Sequence, residues 1–365
     1  KEQRLKKRHN AEKRFKLYGL TSILLAIFFV IFLLNAIFSK GSGAFLKTTI
    51  DVEVNFDADT LELSESPPLE DLENTDYYEL AIDSILKVKK VNGLTEEKLL
   101  INLFSPDYEY EIRNFLLDNP KALNQTTVLK LTASDDFDQL HKGNYPRELP
   151  EERRRINNFQ LNLYDELVNE GKVNKIFNSY LFTKGDSRNP ELAGIGGALV
   201  GSFFTIVITL LLSFPIAIAA SVYLEEFAPK NKITDFIEIN INNLAAVPSI
   251  VFGLLGLGIL LGTFHLPRST PLVAGITLAL MTLPRIIIPC RASLKAVPPS
   301  IREGALAIGA SKVQSVTHHV LPLAIPGTLS GTIIGLAQAL GETAPLILIG
   351  MVAFVVDIPS IPTDP

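Results

Sequence analysis

Several stretches of about 20 residues in this chain carry almost no charge, and no other feature limits its fold as much. The hydrocarbon core of a bilayer takes roughly 20 apolar residues per helix, so each stretch reads as a membrane-spanning candidate. The first, Leu17–Phe38, is apolar for 22 residues and follows a basic run ending in Arg14-Phe15-Lys16. A secretory signal has a shorter apolar core and a small-residue cleavage site; this segment is long enough to span and stay. Gly194–Gly201 (GIGGALVG) forms a flexible lead into a second helix, Gly201–Tyr223. A third is predicted over Ile237–Leu261, interrupted by Asn240, Asn242, Asn243 and Pro248 and Gly-rich beyond them. The fourth covers Pro271–Pro289, with Pro284 and Arg285 near its end, and the fifth Pro326–Val356, longer than a span needs.

A mean hydropathy of +0.26 hides two populations. Residues 1–16 hold eight Lys/Arg and two Glu, whereas residues 41–190 hold 17 Lys/Arg against 28 Asp/Glu, a net charge of −11. Everything outside 41–190, residues 1–16 included, holds 17 against 11 and stands at +6. One aqueous side thus receives an acidic domain and the other basic tails and loops. The positive-inside rule places the N-terminus in the cytoplasm. Alternation then puts residues 191–200 outside, Glu225–Asp235 inside, Phe264–Thr270 outside and Arg291–Leu323 inside. That last loop carries Arg291, Lys295, Arg302 and Lys312 against Glu303 alone, a net +3, while the short outer loop has only Arg268. Both charge counts give one orientation, and with five helices the C-terminus lies outside.

Residues 41–190 contain no run long enough to span, and their length suits one small α+β domain on the outer side. Asp76–Val91 and Leu94–Leu117 carry apolar residues at helical spacing, and Pro150–Glu170 reads as an amphipathic helix with Pro150 near its start. Thr126–Leu131 alternates like a strand, Val173–Phe182 reads as another, and Pro67–Pro68 marks a loop. The acidic surface serves solvation or docking to an external partner.

Catalytic chemistry finds no foothold. Cys290 is the only cysteine, which excludes an intramolecular disulfide and a cysteine-cluster metal site. His318 and His319 are adjacent and point to different faces of a helix, and His141 and His265 are isolated; no metal or cofactor is expected. No Ser/His/Asp set and no paired catalytic carboxylates occur. The basic N-terminus suits anionic lipid headgroups and lacks the aromatic interleaving of a nucleic-acid platform. Gly304–Lys312 (GALAIGASK) contains GxxxxG, but Ala310-Ser311 stands where a Walker A loop needs Lys-Ser/Thr, so it is no nucleotide site.

The most informative stretch is Val297–Pro326, VPPSIREGALAIGASKVQSVTHHVLPLAIP. Glu303-Gly304-Ala305, then Gly309 and Leu321-Pro322, resembles the EAA loop of bacterial ABC-importer permeases, departing only at Gly304, where Ala is usual. A short surface helix with small residues on one face can dock closely into a groove on another protein. Gly309 lets the chain turn without a Cβ clash. Three further stretches, Tyr223–Ala228 (YLEEFA), Asn243–Leu257 (NLAAVPSIVFGLLGL) and Ala339–Pro345 (ALGETAP), are similar to the phosphate ABC-transporter permeases of the PstA family. The resemblance covers residues 191–356, and the N-terminal helix with its acidic domain resembles the long-form proteobacterial members.

The resemblance implies an all-α transmembrane bundle of MetI-like type, with the extracytoplasmic α+β domain inserted after the first helix. The parts are then 1–40, 41–190 and 191–365, with a cytoplasmic coupling loop at about 292–322. It further implies a bacterial inner-membrane subunit that hydrolyses no ATP itself. Its partners are a PstC-like permease, a PstB-like ATPase dimer and a PstS-like periplasmic binding protein that delivers inorganic phosphate. Family members add one more helix, so the last one is expected to be missing from this sequence. Arg302, Glu303, Gly304, Ala305 and Gly309 are the expected ATPase-coupling residues.

Candidates for the pathway are Arg285, Arg291, Glu342, Thr343, Asn243 and Ser249. Glu342 is placed inside the fifth helix, where an ionisable group is costly and calls for an Arg partner. The planar fork of Arg suits oxyanions; positive-inside anchoring of Arg291 and snorkelling of Arg285 remain alternative readings. Pro248 frees backbone groups that only protein or water satisfies, so the bend beside Asn243 and Ser249 is expected to face the interior, with a packing kink alone as the alternative reading. Two other functions stay open on the residues alone: a permease for another oxyanion such as molybdate or phosphonate, and a membrane-anchored sensor that needs no coupling loop.

Overall fold

A computed structural model describes residues 2–64, 67–91, 93–351 and 354–364, with side chains from residue 4 onward. The chain divides into two compact units, residues 1–181 with 188–193, and residues 182–187 with 194–365.

The first unit opens with α1 (Glu2–Gly41), a 40-residue helix. Its most apolar window has a hydropathy of 2.7 and none of it is buried within the chain. Thr21 and Ser22 turn their hydroxyls back onto the carbonyls of Leu17 and Tyr18, at 2.9 and 2.8 Å, which satisfies both hydroxyls within the helix. After a 3-10 turn the chain enters β1 (Leu46–Asn55). There follow α2 (Leu69–Asn74), α3 (Tyr78–Val88), α4 (Leu94–Ile101), α5 (Tyr108–Asp118), β2 (Thr126–Thr132), α6 (Asp135–His141), α7 (Asn158–Asn169), β3 (Val173–Phe177) and a single turn, α8 (Tyr180–Thr183).

The three strands form one antiparallel sheet in the order β2-β1-β3. β1 was not expected from the sequence, yet it is the centre: Ile50 stands between Leu131 and Val173. Ile50, Val52 and Val54 are fully buried and pack with Ile85, Leu100, Ile112, Leu116, Tyr164 and Leu167 from the helices. The periodic stretch Leu94–Leu117 is two helices rather than one. Leu103 and Phe104 close 3-10 bonds, and Pro106 has no N–H to continue the ladder. The helix expected over Pro150–Glu170 begins at Asn158, where Asn157 and Gln160 form a capping box that satisfies two backbone donors. The strand expected over Val173–Phe182 stops at Phe177.

The second unit is helical: α9 (Gly196–Val222), α10 (Lys232–Ala245), α11 (Ser249–Leu255), α12 (Pro271–Ala296), α13 (Pro299–Ala307), α14 (Lys312–Ser315), α15 (Leu321–Gly341) and α16 (Ala344–Leu348). Wide π-type turns extend α9 to Phe227, α11 to Thr263, and bridge Val316–Val320. Among the described residues of the whole chain, four helices are long and apolar enough to cross a membrane, or five if α10 and α11 count as one bent span.

α12 is the central helix, 67% buried over its apolar window, and packs against α9 and α15. Lipid tails are as apolar as Leu, so close packing and hydrogen bonds must hold such helices together. α9 meets this with a stripe of small residues at every fourth position, Gly197, Gly201, Thr205, Thr209, Ser213, Ala217 and Ser221. Thr209 donates to Gly275 O at 3.2 Å and Ser221 to Ile287 O at 3.2 Å, both on α12. A Cβ on Gly275 would lie 2.6 Å from Ile208, so the helices touch at backbone distance there.

Three expected spans differ from the structure. The third, Ile237–Leu261, bends by 104° between Ala245 and Ser249, because the last turn closes on Asn243 and Leu244 and Pro248 adopts an extended ψ of 138°. The fourth runs on to Ala296, which puts Arg285 and Arg291 inside it. The fifth does not reach Val356: it ends at Gly341. The described tail, residues 354–364, then folds over the starts of α9 and α12. Asp186 N donates to Val355 O at 2.7 Å, and Leu272 N to Pro362 O at 2.9 Å.

Candidate functional site

The end of the second unit away from that tail gathers six charges. Glu225 and Glu226 lie in the wide turn that closes α9, Glu238 on α10, Arg291 and Lys295 on α12, and Arg302 on α13. Arg291 pairs with Glu238 and, at 3.5 Å, with Glu225; Lys295 reaches Glu225 at 3.6 Å. Arg302 places Nε 3.0 and 3.2 Å from the two carboxylate oxygens of Glu226, and Nη2 2.6 Å from one of them. Its guanidinium also donates to Leu294 O at 2.8 Å and Val297 O at 2.7 Å. Three of the four cations between Arg291 and Leu323 therefore meet acids of the preceding loop region.

These ion pairs change what α13 offers. Arg302, grouped from the sequence with the coupling residues, is turned inward onto Glu226. Ala305 is also turned inward and is buried. Glu303 and Gly304 are exposed, as are Leu306 and, at 82%, Ile308. Gly309 takes a φ of +91°, which an L side chain adopts only with strain, and turns the chain toward α14. Ser311 caps α14 with a capping box through Gln314. The result is a short helix on a charge-paired base, with an acidic and apolar outer face. His318 and His319 are exposed.

The pathway candidates fall into two places. Arg291 belongs to the ion-pair group just described. Arg285 comes within 3.9 Å of Glu342, each side chain about one fifth exposed, and Arg285 Nη1 is buried without a hydrogen bond. Glu342 is not inside a helix, as expected, but is the residue that ends α15, with an extended ψ of 116°. A chain break there lets its carboxylate face α12 without forcing a charge into a continuous helix wall. Thr343 occupies the N-cap position of α16 without a side-chain capping bond and is exposed. α16 packs on α11, where a Cβ on Gly253 would lie 2.7 Å from Pro345. Ser249, the first residue of α11, is half-buried, and Asn243, at the end of α10, is exposed. The sequence reading missed Glu225, Glu226 and Glu238 as site residues; two adjacent acids at the end of an apolar helix were the available signal.

A cavity of about 350 Å³ lies at the tail end of the unit, lined by Gly197, Ser202, Thr205, Ser269, Met351 and Val355 among others, and is largely apolar. In the first unit, Glu111 accepts from Thr132 N at 2.8 Å and Tyr180 OH at 3.0 Å and lies 3.9 Å from Lys47 Nζ. Burial and this carboxylate push the Tyr180 phenol up. Among the described residues no group of His, Cys, Asp and Glu is placed to hold a metal ion.

The helical unit is also the part of the chain that matches a described transport family. Residues 213–358 match the family described as binding-protein-dependent transport system inner membrane component, and residues 2–151 match a domain of unknown function, DUF3333.

Particular relatives carry the likeness further. The chain is 32% identical over 154 residues to the probable ABC transporter permease protein YqgI of Bacillus subtilis, covering 42% of this chain and 52% of that one. It is 33% identical over 160 residues to the phosphate transport system permease protein PstA of Mycobacterium leprae (43% and 51%). With PstA of Yersinia pestis the identity is 31% over 159 residues (44% and 53%). The chain thus spans about half the length of these relatives. Among solved structures, the inward-facing methionine ABC transporter MetNI aligns over 42% of this chain and 74% of that chain, at 21% identity and a TM-score of 0.37.

Proposed function

We propose that this chain is a PstA-type permease subunit of an ATP-driven phosphate importer in the bacterial inner membrane. It forms half of the translocation pathway beside a PstC-like subunit. A PstB-like ATPase dimer docks on α13 and supplies hydrolysis, and a PstS-like binding protein delivers phosphate from outside. Residues 1–16 lie in the cytoplasm and the sheet-bearing unit in the periplasm, following the charge asymmetry across α1.

One observation carries the reading: α13 is held by Arg302 on Glu226 while Glu303, Leu306 and Ile308 face outward. A rigid base under a short exposed helix is what a docking element needs, because a mobile one would lose ordering entropy on each encounter. The Arg285–Glu342 pair supports the pathway assignment. A guanidinium with an unused buried donor, only loosely held by its acid, is suited to meet an oxyanion.

The test is labelled phosphate uptake by vesicles holding the full-length protein with its three kinds of partner, ATP on the cytoplasmic side, and sulfate and molybdate as competitors. ATP-dependent uptake that these anions leave intact supports the proposal; uptake of a different anion overturns the substrate. Glu303→Lys reverses the charge on the exposed face of α13 and is expected to abolish ATPase binding and uptake together. Unchanged binding in that variant removes Glu303 from the docking surface.

A further inference from the structure

We infer that Glu226 is a positioning residue for coupling: through Arg302 it clamps α13 to the ends of α9 and α12, so that a displacement of α13 by the ATPase moves both membrane helices. The inference rests on the permease reading and adds to it a residue outside the docking face.

α13 has few other restraints. It is nine residues long, too short to persist as an isolated helix in water. Ala305 is its one buried side chain, and half-buried Ile301 is its remaining apolar anchor, against Cys290, Leu294 and Val320. Arg302 supplies what packing does not. Its two bonds to Leu294 O and Val297 O fall on carbonyls at the end of α12, where Pro298 has no N–H to give Leu294 O and Val297 N reaches that oxygen at 3.3 Å. A cation there also suits the dipole of α12. Its three bonds to the Glu226 carboxylate, two to one oxygen and one to the other, tie the same group to α9.

The wide turn Tyr223–Phe227 is what makes this double tie available. Glu225 reaches Arg291 and Lys295, while the next residue, Glu226, reaches Arg302. The Glu226 side chain is 8% exposed and that of Arg302 is 23% exposed. Removing either partner leaves the other charge poorly solvated, so the pair holds as a unit. Exchanging the two residues is not equivalent: a carboxylate at 302 would face the carbonyls of Leu294 and Val297.

The experiment compares wild type, Glu226→Gln, Glu226→Asp and Arg302→Lys in the assembled full-length complex. Two quantities are read: amide hydrogen exchange over residues 299–308, and phosphate moved per ATP hydrolysed. Co-purification of the ATPase establishes assembly. Loss of the charged fork is expected to speed exchange in α13 and cut phosphate per ATP, each by about tenfold, in Glu226→Gln and Arg302→Lys. Glu226→Asp, which keeps the charge, is expected to retain most of the coupling. The exchanged pair Glu226→Arg/Arg302→Glu is expected to stay uncoupled. Unchanged exchange over 299–308 overturns the clamp. Faster exchange with phosphate per ATP intact overturns its role in coupling and leaves a structural brace. A wild-type complex that takes up no phosphate sinks the substrate reading instead, and the exchange rates then decide the clamp alone.

Discussion

Replacing Gly331 by Ala should loosen the contact between α12 and α15, and the chain contains its own reporter. A Cβ on Gly331 would stand 2.4 Å from Cγ and 2.7 Å from Cβ of Pro289. Ordinary carbon contacts are about 3.5–4.0 Å, so the two helices must part by roughly 1 Å. The obstacle is a proline ring on the central helix, which has no rotamer to swing aside. Overpacking of this kind costs about 1–3 kcal/mol. Cys290, one residue from Pro289, is fully buried at the same contact, where Thr328 Oγ1 donates to its sulfur at 3.4 Å. It is the only cysteine in the chain. A fluorogenic maleimide therefore reads the opening of this one interface. Converted to a rate at tenfold per 1.4 kcal/mol, Gly331→Ala should label Cys290 about 5- to 150-fold faster than wild type. Gly304→Ala is the matched control. Nothing lies within 4 Å of its added Cβ, and Ala in a helix is favoured over Gly by about 0.5–1 kcal/mol. That variant should label at the wild-type rate. Equal labelling of Gly331→Ala and wild type would refute the claim that backbone-close packing joins α12 to α15.

Two predictions concern the first unit. Burial, with a lesser contribution from Lys175, holds the His141 imidazole below its ordinary value, against a weaker pull from Asp138, and the ring is hydrogen-bonded to Tyr164 OH. The unfolded chain takes up the proton first, so stability present above pH ~6.5 is lost as pH falls toward the folded value. Hydrogen exchange in α7 should rise over that range in wild type and less in His141→Gln; the difference between the two removes the contributions of Asp135 and Glu191, both raised chiefly by burial. Asn157→Ala removes the capping box of α7 and should cost about 1 kcal/mol, seen as faster exchange at the first turn of that helix and nowhere in the second unit.

How far the sequence could be read depended on the range of the forces involved. Thr126–Leu131 was legible as a strand because alternation is a local pattern; β1 carries the same signal, Ile50, Val52 and Val54 alternating with Asp51, Glu53 and Asn55, and was overlooked although it was there to read. The turn at Gly309 was legible because its φ of +91° needs a glycine. Glu225 and Glu226 were visible only as part of a motif, since Arg302 lies 76 residues from Glu226 and Arg291 66 residues from Glu225.

Composition and periodicity alone determined that this chain enters a membrane and where its polar domain sits in the order of segments. Those properties follow from solvation and backbone hydrogen bonding, which each segment satisfies by itself. The tertiary structure decided the rest: that β1 is the middle strand, that the third span bends by 104°, that Glu342 ends a helix instead of lying within one, and that Arg302 faces inward. Apart from the bend, where Pro248 is local and only the angle is new, each of these depends on a partner distant in sequence, a strand, a guanidinium or a carboxylate, whose position is set only when the helices and strands pack.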